Sequence, residues 1–178
     1  MTIIQGKTLS KRAERNLAIA TSVYKSWAPG YKEGRTVDLS VLRGAIADDM
    51  VVFHPLFGEV QIGRAFADGL DEKTATMELR AWWKTFPDIC MDKFSAFPSD
   101  DGVAYHVRIG GHTRDDGRWL ESWECNFWTI NDAGKIVRFE VFHLGKGYDE
   151  MCRLALGFNG ADLTPERYRD AVQKYGKE

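Results

Sequence analysis

The sequence predicts an α+β fold: one domain in which helices lead and a mostly antiparallel sheet of long strands follows. Three observations carry this expectation. Apolar residues recur at four- and three-residue steps from Ala13 to Trp27, the period of a helix with one buried face. Four segments between Cys90 and Leu144 are rich in β-branched and aromatic residues. Between them, Asp115-Asp116-Gly117 and Asp132-Ala133-Gly134 each put Gly third in a three-residue connection, where a type I turn followed by a left-handed residue requires it.

Taken in order, residues 1–9 show no period and read as a loose tail. Ser10 caps a helix whose inner stripe is Ala13, Leu17, Ala20, Tyr24 and Trp27, and Pro29-Gly30 ends it. Asp38 caps a second helix, expected to reach Ala47, which runs into a short apolar strand from Met50 to His54. Leu56 to Gly63 reads as a loop or an irregular hairpin. A third helix carries Leu79, Trp82 or Trp83 and Phe86 before Pro87 stops it. Strands follow at Cys90–Pro98, Val103–Thr113, Trp119–Ile130 and Lys135–Leu144, then a short helical piece (Tyr148–Leu156) and a terminal helix (Thr164–Tyr175). The chain reads as a single domain over 1–178, with its core at about 10–145 and a helical extension over 146–178.

The turns imply a register. Pairing Arg114 with Arg118 puts Val103, Tyr105, Val107 and Ile109 on one face with Thr129, Phe127, Cys125 and Trp123; pairing Asn131 with Lys135 adds Val137, Phe139, Val141 and His143. That apolar face is expected to pack the helices and line a pocket. The opposite face would collect His106, Arg108, His112, Glu124, Asn126, Trp128, Arg138, Glu140 and Phe142. A single bulge, common in curved sheets, would turn Glu124 and Asn126 inward instead.

Composition narrows the function classes. A formal charge of −2 with interspersed signs leaves no electrostatic footprint for nucleic acid. No apolar run approaches the roughly 18 residues of a membrane span, and the N-terminus lacks the apolar core of a signal peptide. Cys90, Cys125 and Cys152 are odd in number and widely spaced, which fits reduced thiols in the cytoplasm. No cofactor is expected, since phosphate-binding and dinucleotide glycine motifs and the GxSxG elbow are missing. No metal is expected either: His106 and His112 share a strand face but stand about 20 Å apart at ~3.3 Å per residue. The 6 Trp, 10 Phe and 6 Tyr fill a core and also suit the walls of a site for flat, apolar ligands.

The segment Asp48-Asp49-Met50-Val51-Val52-Phe53-His54-Pro55 brings a histidine to the end of a buried strand. Helix, paired acids, short strand, a polar residue and proline, followed by long hairpin strands, resemble the nuclear transport factor 2-like superfamily of ketosteroid isomerases, scytalone dehydratase and SnoaL-like cyclases. The resemblance covers about residues 10 to 145. It implies a curved sheet wrapped around the N-terminal helices, cone-shaped, with one deep pocket. It also implies roles for residues: His54 stands where the isomerases carry a catalytic carboxylate, Tyr24 matches their oxyanion-binding tyrosine, and Asn126 falls at their second oxyanion-binding acid. His for Asp departs from the isomerase pattern. Epoxide hydrolases of the superfamily use an Asp-Arg-Asp arrangement in the pocket, whereas Arg108 and Glu140 here fall on the outer face.

The expected catalytic residues are therefore His54, Tyr24 and His143. An imidazole titrates near neutrality and can move protons; a tyrosine can donate to a developing oxyanion. His54 and Tyr24 have a structural alternative as hydrogen-bonded core side chains, and His143 as a strand-end histidine near solvent. Asn126, Tyr105, Trp123, Phe139 and Asp49 are expected to bind or orient the substrate, with Glu121 a lesser candidate. The expected activity is a cofactor-independent lyase, by dehydration or carbon–carbon cleavage, on a hydrophobic aromatic small molecule. An isomerase, a polyketide-cyclase-like enzyme and a non-catalytic binding module are the alternatives. Leu120, Trp128 and Phe142 on the outer face point to a homodimer or homotrimer.

Overall fold

In a computed structural model, residues 2–3, 8–35, 37–54, 58–61, 72–144, 146–159, 162 and 164–175 are described. Their strands are β1 (Thr2–Ile3), β2 (Ile46–His54), β3 (Gly58–Gln61), β4 (Cys90–Pro98), β5 (Gly102–His112), β6 (Trp119–Ile130) and β7 (Ile136–Leu144). They form one sheet in the order β1-β4-β5-β6-β7-β2-β3. β1 pairs with β4 and β2 with β7 in parallel, and the other neighbours are antiparallel. The helices are α1 (Lys11–Trp27), α2 (Leu39–Ala45), α3 (Glu72–Thr85), α4 (Lys146–Leu156) and α5 (Pro165–Tyr175). This is the α+β arrangement the sequence predicts, a curved mixed sheet around N-terminal helices. No helix among the described residues is long and apolar enough to cross a membrane.

The predicted caps form. Ser10 Oγ accepts from the Ala13 amide at 3.0 Å and Asp38 Oδ1 from the Ser40 amide at 3.0 Å, each satisfying an otherwise orphaned N–H at a helix start. Asn16, fully buried on α1, donates to the carbonyls of Ser99 (2.9 Å) and Asp100 (3.1 Å) and so ties the helix to the β4–β5 turn. Two expectations shift. The tail is not wholly loose, since Thr2 and Ile3 extend the sheet beside Ser95 and Ala96. α2 stops at Ala45 rather than Ala47, because the chain becomes extended at Ile46 and pairs there with Ile136.

The larger correction concerns β6. Thr113, not Arg114, pairs with Arg118: its amide donates to the Arg118 carbonyl at 2.9 Å. Arg114 is occupied elsewhere. Its amide donates to the Thr85 carbonyl (2.7 Å) and its guanidinium to the carbonyls of Lys84 (2.9 Å) and Trp83 (3.0 Å), which caps the C-terminal end of α3. The register therefore slips by one, and Tyr105 faces Asn126 and Val107 faces Glu124. At the next hairpin the predicted closure of Asn131 with Lys135 is present, with Gly134 at φ 75°. Beyond it Ile130 pairs with Ile136 but Thr129 with Arg138, so Val137 is an extra bulged residue. The two one-residue steps turn Ser122, Glu124, Asn126 and Trp128 inward and Trp123, Cys125 and Phe127 outward, while Phe139, Val141 and His143 stay on the inner face. Leu120 and Trp128, expected outside, pack into the core.

Another bulge lies in β4 between Asp92 and Ser95, where Lys93 adopts φ 51°. It delivers Phe94 to the interior, stacked on Tyr24 with ring centroids 4.4 Å apart.

The inner face carries two apolar clusters. One gathers Leu39, Leu79, Trp82, Trp83, Phe86, Ile109 and Met151; the other gathers Ala20, Met50, Val52, Phe94, Val103, Trp128, Ile130 and Ile136. Along β5 and β6 the residues between them are Tyr105, Val107, Glu124 and Asn126. α4 closes over this stretch, and Gly147 makes the approach possible, because a Cβ there would lie 1.9 Å from the Glu121 carbonyl oxygen. Gly147→Ala must push α4 off the backbone of β6. It is expected to lower the free energy of unfolding by about 1–3 kcal/mol, measured by urea denaturation, and an unchanged midpoint would refute the close docking.

Candidate functional site

The polar stretch between the two clusters is built from three strands and one helix. β6 presents Ser122, Glu124, Asn126 and Trp128 at the period of two that a strand imposes. β5 adds Tyr105 opposite Asn126, and β7 adds His143 opposite Glu124. α4 lays Tyr148 flat on the His143 ring, with centroids 3.6 Å apart and planes 3° from parallel.

The central contact sets His143 Nδ1 3.6 Å from Glu124 Oε1, longer than a hydrogen bond, with the two side chains only 14% and 15% exposed. Glu124 Oε2 accepts from Asn126 Nδ2 at 3.3 Å, so both carboxylate oxygens are engaged. Asn126 is fully buried, yet its Oδ1 has no hydrogen-bond partner among the described residues. The same holds for Ser122 Oγ and Trp128 Nε1. Buried polar atoms are nearly always paired, and these three, along a single strand, have no partner among the described residues.

The phenols around this stretch are held neutral. Burial pushes the Tyr105 pKa well above the usual tyrosine value, and the Glu124 carboxylate and Tyr31 add to the shift. Burial does the same for Tyr148, which shares a hydrogen bond with Cys152 one helical turn away. The Cys152 thiol is raised to about 12, again chiefly by burial. Both phenols therefore remain O–H donors throughout the working range of pH.

The predicted site residues separate into groups. His143, Asn126, Tyr105 and Phe139 come together on the inner face; Phe139 meets Trp128 edge-on at 5.7 Å, and Trp128 meets Tyr105 edge-on at 5.0 Å. Tyr24 joins the far end of this aromatic series through Phe94, which lies 5.3 Å from Tyr105. Its hydroxyl donates to the Met91 carbonyl at 3.0 Å, and its pKa is raised, first by burial. Asp49 is exposed, at the register break of β2. His54 ends β2, paired with Gly58, and its side chain lies outside what is described, as does Pro55.

Trp123 is a correction. The slipped register places it opposite Arg108 on the outer face, where its ring lies 5.4 Å from that of His106. Glu121 is also outside, in a closed network: Arg108 grips Asp92 through two bonds (2.8 and 2.7 Å), reaches Glu121 at 3.1 Å and lies over the Trp119 ring at 5.1 Å. Arg108 thus stands on the outer face, as expected, and its acidic partners are Asp92 and Glu121 rather than Glu140. The inward Glu124 and the cover residue Tyr148 did not emerge as candidates from the sequence. The signal for Glu124 was the possibility of a bulge; nothing local marks Tyr148.

The SnoaL-like domain family matches residues 31–139 of the chain. No curated protein matches. Similar solved structures include a putative SnoaL-like polyketide cyclase from a Jannaschia species, 15% identical over 78% of this chain and 91% of that one, with a TM-score of 0.55. An NTF2-like protein from Anabaena variabilis is 13% identical over 80% of this chain and 98% of that one, with a TM-score of 0.55. A putative isomerase from Bacillus subtilis is 13% identical over 83% and 96%, with a TM-score of 0.51. At these identities the likeness shows the fold alone.

The raised phenols have a measurable consequence. In alkaline titration followed by tyrosine absorbance, no more than four of the six tyrosines should ionise while the protein stays folded. Below pH ~10 both states keep these protons. Above it the unfolded chain loses them first, so stability falls as pH rises. Six tyrosines ionising together near pH 10 in folded protein would contradict the burial.

Proposed function

This chain belongs to the SnoaL-like domain family, and on that premise we propose that it is a cofactor-independent lyase acting on a hydrophobic, aromatic small molecule by acid–base chemistry. The observation that carries the reading is the inner face itself. A nearly buried His143 stands beside Glu124, Asn126 and Tyr105, between apolar clusters rich in aromatic rings. Aromatic walls with a few convergent polar atoms are what a site for a flat molecule with oxygen substituents requires.

In the proposed elimination, His54 takes a proton from carbon and the released electron pair becomes the new double bond. The carbon–oxygen bond breaks, and protonated His143 gives its proton to the departing oxygen, which leaves as water. Tyr105 and Asn126 orient the substrate and stabilise the enolate or phenolate oxygen that develops; Tyr24 would join them only by exchanging its bond to the Met91 carbonyl for one to the substrate. Phe139 lines the ring site, and Asp49 lies at its approach. Carbon–carbon cleavage, isomerisation and cyclisation would use the same proton transfers, and a non-catalytic binder would use the walls alone. The free thiols fit a reducing compartment such as the cytoplasm.

The test is turnover of a panel of uncharged aromatic β-hydroxy ketones, read by mass spectrometry as loss of water, beside binding of 2-naphthol read by tryptophan fluorescence. His143→Ala and His54→Ala are each expected to lower kcat/KM by ~100- to 10,000-fold with naphthol binding retained. Unchanged turnover in either variant removes the mechanism, and binding without turnover of any panel member would leave a binding module.

The outer face supports a proposed homodimer or homotrimer. Phe97 and Phe127 are 42% and 44% exposed there, and Phe142 packs against Phe53 and Phe127. Sedimentation should give two or three times the 20.2 kDa chain mass, falling to one chain in Phe127→Asp. A monomeric wild-type protein would refute the assembly.

A further inference from the structure

We propose that Glu124 is the positioning residue of this site: it fixes the His143 ring through Nδ1 and holds it in the protonated form, so that Nε2–H is the atom that delivers a proton. The inference deepens the acid–base reading and rests on it. Its basis is geometric. Glu124 is directly opposite His143 across the β6–β7 pairing, with its carboxylate 3.6 Å from Nδ1. Its second oxygen is held by Asn126 at 3.3 Å, which fixes the carboxylate plane. From the other side Tyr148 stacks on the imidazole at 3.6 Å and leaves it little freedom to turn. The groups that face the ring are thus Glu124 from β6 and Tyr148, with Cys152 behind it, from α4; the Tyr105 phenol on β5 stands near Glu124. Of these only a carboxylate ordinarily carries charge at the pH where an imidazole titrates.

A carboxylate and an imidazole withdrawn from water are costly and could be replaced by apolar side chains without loss of stability. The outer face shows the other use of charge: Arg108, Asp92 and Glu121 form a closed network at the edge of solvent. The inner pair differs by lying next to buried polar atoms that have no partner among the described residues, those of Ser122, Asn126 and Trp128. An acid there meets the reacting oxygen of a molecule that binds them. An anionic neighbour favours the imidazolium, and closing the 3.6 Å gap by a few tenths of an ångström makes Nδ1 the donor to Glu124 and leaves the exchangeable proton on the opposite nitrogen.

The test is nitrogen-15 NMR of the histidine side chains in the full chain, with the His143 signals assigned by their disappearance in His143→Gln. The wild-type His143 should titrate above the ordinary value of about 6.5, with Nδ1 carrying the proton in its neutral form. Glu124→Gln should lower that midpoint by about one pH unit or more and mix the tautomers, and Glu124→Asp should restore part of the shift. A merely structural Glu124 would move the unfolding midpoint and leave the His143 tautomer and titration as they are. That result, or an Nε2-protonated neutral ring in the wild type, overturns the proposal. Should Glu124→Gln fail to fold, the wild-type tautomer and the Glu124→Asp midpoint decide it. None of these readings needs a substrate: a shifted midpoint with turnover intact in His143→Ala would keep the pair and discard the catalytic reading.

Discussion

Arg114 stops the β5–β6 hairpin one residue short, and the rest of the interior depends on that stop. Its amide and guanidinium are drawn to carbonyls at the end of α3, groups that a helix cannot satisfy by itself. Once Arg114 is committed there, Thr113 becomes the closing pair of the hairpin, and every side chain of β6 exchanges faces. Glu124 and Asn126 then enter the molecule and Trp123 leaves it. The bulge at Val137 performs the compensating step on the other side of β6, so that His143 meets Glu124 rather than pointing away from it.

The inward residues of β6 are apolar at the ends and polar in the middle: Leu120, then Ser122, Glu124 and Asn126, then Trp128 and Ile130. Each end belongs to a hydrophobic cluster. The clusters keep water from the polar middle, which strengthens the attraction between Glu124 and His143 and makes every unpaired polar atom there expensive. The cover is tight because Gly147 lets α4 come down onto the backbone of β6 and set Tyr148 against the imidazole.

The two faces of the sheet use polar groups differently. Outside, Arg108 is matched by two acids and an indole, and little is left unsatisfied. Inside, Asn126 spends its amide donor on Glu124 and keeps an acceptor turned to no protein group among the described residues. A fully satisfied network holds a structure together, while a partly satisfied one in a closed interior has unused capacity for a ligand. That contrast separates the candidate site from the more abundant charges of the surface.

The sequence alone determined the elements and the fold class. Caps at Ser10 and Asp38, the apolar stripe of α1, and the glycines at 117 and 134 act within a few residues of themselves, so their physics is readable locally. The motif ending in His54 and the order of the elements sufficed for the resemblance to the superfamily. The facing of β6 was not readable. It was inferred from the turn, by pairing Arg114 with Arg118, and that closure put Trp123, Cys125 and Phe127 on the wrong side. Only tertiary structure could decide otherwise, because the deciding hydrogen bonds join Arg114 to a helix about thirty residues earlier in the chain. Tyr148 was hidden for the same reason: its place over His143 comes from the docking of α4 against β6, a contact between elements that nothing in the local sequence encodes.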